Sequence, residues 1–310
     1  MTRNDLIFLC LSGLILALYT LILSFNALTH HYTVVCYATV LFQQPALLCC
    51  FVLYIFGFIL HQRYPKISFI FKTFGMLYLM VLVMLFATTA ISTTPFPLKN
   101  QWLNQVDHWV GFNLASFLTD MHHHERLHHI FALFYLFLYT AVRLVPFLLA
   151  ALEEEVQVYR FFVSFLISCL LGFAIYYFWP SSDPSSVVHS SWFTAAQYHL
   201  TTQFNQMHHY QPSGFYDPGL IGFPSYHTIW AILLAYACWP RKVLFYPVAL
   251  FSTLVIIAAL ASGWHFLTDI MGGVLVATLS IYLTHLLIHR HAVPTVQYPV
   301  KKKQSFLPLN

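Results

Sequence analysis

Long apolar runs separated by short polar joints dominate the chain. A helix that crosses a bilayer needs about 20 mostly apolar residues. Runs of that kind lie near 6–26, 34–60, 68–92, 128–150, 159–179, 224–239, 243–262 and 266–288. The second contains Gln43-Gln44-Pro45, a place for a kink or a partly interfacial stretch. The sixth is short and opens on Pro224-Ser225-Tyr226-His227. The pattern predicts an all-α fold: a polytopic membrane helical bundle of about eight transmembrane helices.

Two stretches interrupt the runs. Segment 94–127 is polar but carries Trp102, Val106, Trp109, Val110, Phe112, Leu114 and Phe117, many at helical spacing. That predicts one or two helices lying in the membrane interface. Segment 180–223 is rich in Ser, Pro, Tyr, His and Gln and reads as a long loop, able to form a cap or a substrate-contacting segment.

Composition sharpens this picture. Only 8% of the 310 residues are charged, 59% are hydrophobic, and the mean hydropathy is +0.69. Soluble domains carry about 25% charged residues, so most of this surface faces lipid or other helices. The first apolar run is too long for a signal-peptide core and is expected to be a retained span. Cys10, Cys36, Cys49, Cys50, Cys169 and Cys238 fall in or beside apolar runs without metal-type spacing and read as small buried hydrophobes.

The net charge of +4 rests on few basic residues between spans, which argues against a nucleic-acid partner. Arg3, Arg63, Lys66, Lys72, Arg160, Arg241, Lys242, Arg290 and Lys301-Lys302-Lys303 all fall on one side of an eight-span arrangement, the expected cytoplasmic side. Segment 180–223 contains no Lys or Arg. Both termini are then inside, and the histidine motifs outside. The expected location is a bacterial inner membrane or its equivalent, with the active site facing away from the cytoplasm. The expected division is an N-terminal pair of spans (1–66), a core (67–291) and a basic tail (292–310).

Two motifs carry candidate chemistry: Gly222-Phe223-Pro224-Ser225-Tyr226-His227-Thr228 and Ser262-Gly263-Trp264-His265-Phe266-Leu267-Thr268-Asp269. On a helix, residues i and i+4 share a face, so Asp269 is expected to reach the His265 ring. A neutral imidazole steered by a carboxylate can attack phosphorus, which makes His265 the candidate nucleophile and Asp269 its orienting partner. His227 is the candidate acid, then base. The irregular entry to its helix offers backbone N–H groups for an anion, with Ser225 as an added hydroxyl donor.

These residues resemble the type 2 phosphatidic acid phosphatase superfamily. Its Pro-Ser-Gly-His signature appears as Pro224-Ser225-Tyr226-His227, and its His-x-x-x-Asp signature as His265 and Asp269, followed by Ile270-Met271-Gly272-Gly273. Phe-Pro-Ser-x-His and the Phe178-Trp179-Pro180-Ser181-Ser182-Asp183-Pro184 stretch are similar to the inositol phosphorylceramide synthase branch, an inositolphosphotransferase-like group. The resemblance covers about 70–290. It implies a six-helix core, a phosphohistidine mechanism without metal or other cofactor, and a lipid phosphate or phosphodiester as substrate. Catalytic roles then fall to His265, His227 and Asp269, and substrate contacts to Ser225 and Tyr226.

The pattern departs from the superfamily at its cations. Gly172 stands where a Lys is usual, Trp179-Pro180 replaces Arg-Pro, and Ala258-Ala259 replace Ser-Arg. Lys99, Arg126 or protonated outer histidines are the candidate substitutes for binding phosphate. His122, His123, His124, His128 and His129 crowd one segment, with His124 and His128 spaced as a metal pair or a headgroup contact. Polar helix-end residues would look the same. Arg143 and Glu153-Glu154-Glu155 read as an inner-face charge cluster. The expected function is a membrane lipid phosphotransferase or phosphatase. The alternatives are a catalytically silent lipid-binding or transport protein of the same fold and, more remotely, a metal transporter. Neither headgroup, acceptor nor oligomeric state is legible.

Overall fold

A computed structural model describes residues 2–30, 45–211 and 221–288. Within them are eleven α-helices and no strand. The apolar helices are α1 (Arg3–His30), α2 (Pro45–Leu60), α3 (Pro65–Ile91), α6 (Glu125–Ala151), α7 (Glu155–Phe178), α9 (Tyr226–Cys238), α10 (Lys242–Ala261) and α11 (Leu267–Leu287). The polar connections add α4 (Asn100–Trp109), α5 (Leu114–His123) and α8 (Ala195–His208). Six helices, α1, α3, α6, α7, α10 and α11, are long and apolar enough to cross a membrane. The α2 and α9 helices are shorter, at 16 and 13 residues. The part of the second expected span before Pro45 lies outside the described residues, as does the tail after residue 288. This is an integral membrane protein with a helical-bundle fold.

The α7 helix forms the axis and packs against α1, α3, α6, α9 and α11. Phe161, Phe162, Phe165 and Leu166 are sealed from solvent. Its serines stay compatible with that core by donating back to their own turn, Ser164 to the Phe161 carbonyl at 3.0 Å and Ser168 to that of Phe165 at 2.7 Å. The outer faces are the reverse: Leu21 is 68% exposed, Leu275 72% and Val243 87%. Such apolar exposure suits hydrocarbon rather than water.

One ion pair is buried in the apolar core. Lys72 of α3 donates to Asp5 of α1 at 3.1 Å, and the Tyr159 hydroxyl of α7 donates to the same carboxylate. Both charged side chains are almost fully buried. At the same end, Lys66 pairs with Glu153 at 2.9 Å and Arg241 with Glu154 at 2.6 Å. The three consecutive glutamates thus include two that tie loops together beyond the end of α6.

The 94–127 segment forms two helices, α4 and α5, as its periodicity predicted. The 180–223 segment differs from the expected loop. It contains a short 3₁₀ turn at Pro184–Ser186 and the 14-residue α8. The start signal is a capping box: Gln197 N–H donates to the Thr194 hydroxyl, and Thr194 N–H to Gln197 Oε1 at 2.8 Å. Leu103, Leu114, Leu118, Val188, Phe193 and Phe266 join these segments in a small second core.

Candidate active site

His265 sits two residues before α11, on the turn that enters it, and not within the helix. Asp269 occupies the first turn of α11. His265 Nδ1 nevertheless donates to Asp269 Oδ2, at 3.3 Å, and the same oxygen accepts Phe266 N–H at 2.9 Å. A proton held on Nδ1 leaves Nε2 with its lone pair available. His227 lies at the start of α9, with its ring centroid 5.7 Å from that of His265. His227 is 8% exposed and His265 3%, and both line one cavity of about 70 Å³. His227 Nε2 has no hydrogen-bond partner among the described residues.

The entry to α9 is built by contacts with two other segments. Gly222 N–H donates to the Ser181 carbonyl at 3.1 Å and Phe223 N–H to the Ser181 hydroxyl at 2.6 Å. Ser225 N–H donates to the Asp269 carbonyl at 3.0 Å, which ties the two motifs together. These three amides are therefore not available to an anion, contrary to the reading of this entry as an anion cradle. Ser225 is fully buried, and its hydroxyl oxygen caps α9 by accepting Thr228 N–H at 3.3 Å. The close approach of α11 requires Gly273, where a Cβ would sit 2.8 Å from the Ser225 carbonyl oxygen.

Tyr226 turns into the bundle. Its hydroxyl donates to the Ser168 carbonyl at 3.1 Å, and part of its ring lines the cavity. A Cβ on Gly172 would come within 2.6 Å of that hydroxyl. The space at residue 172 is thus filled by the tyrosine. On the other flank, Ala258 packs with Phe131 and Ala261 in an apolar contact between α6 and α10, and Ala259 is fully buried. Two of the three departures from the cation pattern, at Gly172 and at Ala258-Ala259, are thus closed by packing.

Neither expected substitute cation lines the cavity. Lys99 N–H donates to the Pro180 carbonyl at 2.9 Å, beside the turn that carries Ser182 and Asp183, both of which do line it. Arg126 lines a separate surface recess with His123, His124 and Leu127. Among the described residues no Lys or Arg lines the cavity; Tyr135, Tyr139, Trp230 and Trp264 do. Tyr135 stacks on the His227 ring at 3.9 Å between centroids, and Tyr139 meets the same ring edge-on at 5.6 Å.

The histidine-rich segment folds differently from its i, i+4 reading. The chain breaks between α5 and α6 at His124, so His122, not His124, stacks with His128, at 4.1 Å between centroids. Trp192 covers the other contact of His122, also at 4.1 Å. Among the described residues no three His, Cys, Asp or Glu side chains are grouped to hold a metal. Burial, with His128 and His129 nearby, lowers the His122 pKa, and burial beside His209 lowers that of His208. Both shifts disfavour the charged form that a phosphate contact would use.

Two residues of the site escaped the sequence reading. Asp107 of α4 accepts Leu267 N–H and Thr268 N–H, each at 2.8 Å, and so caps the helix that follows His265. Gln197 of α8 donates to the Gly263 carbonyl at 2.9 Å. Gly263 has φ +70°, and the turn between α10 and α11 is held from both polar segments.

A family model described as the PAP2 superfamily matches residues 101–283, more than half of the chain. The chain belongs to the PAP2 superfamily. The match begins inside α4, later than the start near residue 70 that the resemblance implied, and ends inside α11. It includes His227, His265, Asp269, Asp107 and Gln197. Searches of curated proteins and of solved structures returned no match. As a PAP2 superfamily member with a membrane-type bundle, this is a membrane protein of the phosphatase and phosphotransferase type.

Proposed function

We propose that this PAP2 protein transfers a phosphoryl group from a lipid phosphate or phosphodiester through a phosphohistidine on His265. The supporting observation is the pair His265–Asp269 facing His227 across one small cavity. His265 Nε2 attacks phosphorus. The P–N bond forms as the P–O bond to the leaving group breaks, and His227 gives that oxygen its proton. An incoming hydroxyl then loses its proton to His227 and attacks phosphorus, and the P–N bond breaks. Asp269 favours the positive imidazole that develops in the first step. Tyr226 forms part of the wall that faces the substrate. Ser225 acts by capping the helix that carries His227.

The lining favours an alcohol acceptor and a diester donor. A dianionic monoester in a cavity whose described lining holds no Lys or Arg leaves charge uncompensated, which is costly. A phosphodiester carries one charge less. An inositolphosphotransferase-like reaction, on the face away from the cytoplasm, fits both this and the Phe-Pro-Ser-x-His entry. The missing cations also favour a second reading, a lipid-binding protein of the same fold without turnover.

The deciding experiment supplies purified protein with a lipid phosphodiester labelled in its phosphate and quenches at short times. A protein-bound, acid-labile, alkali-stable phosphate that disappears in His265→Ala is expected. No labelled protein and no product with any donor would replace the enzyme by the lipid-binding reading. Product formed at the wild-type rate by His265→Ala would remove the nucleophile.

A further inference from the structure

At the end of the bundle opposite His265, the helices α7, α9 and α11 part around a second recess of about 530 Å³. Gln157 and Arg160 line it from α7, Tyr236 and Trp239 from the end of α9, and His285 from α11. Arg160 is 6% exposed and Gln157 4%. Arg160 Nε and Gln157 Oε1 are both buried and have no hydrogen-bond partner among the described residues. A guanidinium so deeply buried without a carboxylate is costly unless something else neutralises it. Among the described residues no Asp or Glu lines the recess. Glu153 pairs with Lys66 and Glu154 with Arg241, and Glu155 does not line the recess.

The rest of the wall suits an anion with an amphipathic surround. The Tyr236 hydroxyl and His285 Nε2 are hydrogen-bonded at 3.0 Å, which presents a joined polar ledge. Lys242 lies over the Trp239 ring, 3.5 Å from its centroid, and adds a cation at the rim. An arginine binds phosphate through a planar fork of donors. Beside it, the open Gln157 carbonyl oxygen needs a donor, such as a hydroxyl.

We infer that this recess binds a phosphate ester bearing a free hydroxyl, with Arg160 on the phosphate and Gln157 Oε1 accepting from the hydroxyl. A polyol phospholipid headgroup and a soluble polyol phosphate share that chemistry. The site is remote from His265 and does not depend on the phosphotransfer reading.

The test uses the full chain in neutral detergent. Native mass spectrometry measures retention of phosphatidylglycerol, with phosphatidylcholine as the comparison lipid, and calorimetry measures glycerol 3-phosphate. Preferential retention of phosphatidylglycerol, weakened about tenfold or more in Arg160→Gln and unchanged in Arg126→Gln, is expected for a lipid ligand. Arg160-dependent binding of glycerol 3-phosphate alone supports the same site with a soluble ligand. Gln157→Leu keeps the cation and should weaken both ligands, which tests the site if Arg160→Gln fails to fold. Equal retention of the two lipids together with no glycerol 3-phosphate binding, or binding unchanged in a folded Arg160→Gln and in Gln157→Leu, overturns the inference.

Discussion

Asp107 receives both the amide and the hydroxyl of Thr268, across 161 residues of sequence. The carboxylate of a polar connecting helix thereby caps the transmembrane helix that begins just after His265. A capping carboxylate at a helix N-terminus contributes about 1–2 kcal/mol, and its charge complements the helix dipole. The consequence for chemistry is positional, since the turn carrying the candidate nucleophile is anchored to α4.

Asp107→Ala is therefore expected to lower kcat by about tenfold or more, with little change in KM, because a misplacement of about 1 Å is that costly in an oriented site. Asp107→Asn keeps an acceptor oxygen and should recover part of the loss. Steady-state kinetics of the two variants check this. Equal kcat in wild type and Asp107→Ala would detach the cap from catalysis.

Asp269 is a different case because it touches the His265 ring. Asp269→Asn should leave the bundle folded and the phosphohistidine detectable, but formed about 10²-fold or more slowly. Rapid-quench labelling measures that rate directly. A variant that labels as fast as wild type would show that Asp269 serves the fold alone, through its bond to Phe266 N–H.

The buried Asp5–Lys72 pair yields a stability prediction. Lys72→Met leaves the Asp5 carboxylate without its cation, and breaking such a pair costs about 3–5 kcal/mol. Asp5→Asn combined with Lys72→Met removes both charges and should recover most of that loss. Thermal unfolding in detergent compares wild type, Lys72→Met, Asp5→Asn and the double variant. Full additivity of the single changes would mean that the two groups do not act as a pair.

The two histidine motifs and the apolar runs were legible because each is local. Periodicity marks α1, α3, α6, α7, α10 and α11, and the His265–Asp269 contact follows from four-residue spacing even though His265 precedes the helix. The same local reading placed His124 with His128, because nothing in the sequence marks the break at His124. Asp107 and Gln197 were not legible for a different reason. Their partners in the 262–268 turn are backbone groups, apart from the Thr268 hydroxyl that Asp107 also accepts, and a backbone partner leaves no side-chain signature. The signals that did exist were weak: a carboxylate in a chain with few charges, and the Thr194-x-x-Gln197 capping box.

Membrane orientation can be read from the two ends of the bundle. Ser191→Cys lies on the same side as the histidine motifs, and Arg63→Cys on the side of Lys66 and Arg241. In a background without native cysteines, an impermeant thiol reagent added to intact cells should label Ser191→Cys and reach Arg63→Cys only after permeabilisation. Labelling in the reverse order would turn the active site toward the cytoplasm.

Gly172 and Tyr226 give the most informative pair of substitutions. The superfamily resemblance places a lysine at 172 and a glycine at 226; this chain has the smaller residue at the first and the larger at the second. The two departures are one exchange of volume, because the Tyr226 hydroxyl occupies the space that a side chain at 172 would enter. Gly172→Lys alone should overpack the contact between α7 and α9 and destabilise the protein by about 1–3 kcal/mol. Tyr226→Gly alone should open a cavity and cost about 3–5 kcal/mol. The double variant should be more stable than the sum of the singles, with a coupling of about 1–3 kcal/mol. It would also put a cation beside His227 and His265. Hydrolysis of a lipid monoester, relative to the diester, should then rise about tenfold or more, since a charge-assisted contact to phosphate is strongest for the dianion. Unfolding midpoints and the ratio of kcat/KM for the two donors measure the two halves separately. Strict additivity would separate the residues structurally. An unchanged donor ratio in a folded double variant would show that the cation-free lining does not set the preference for a diester.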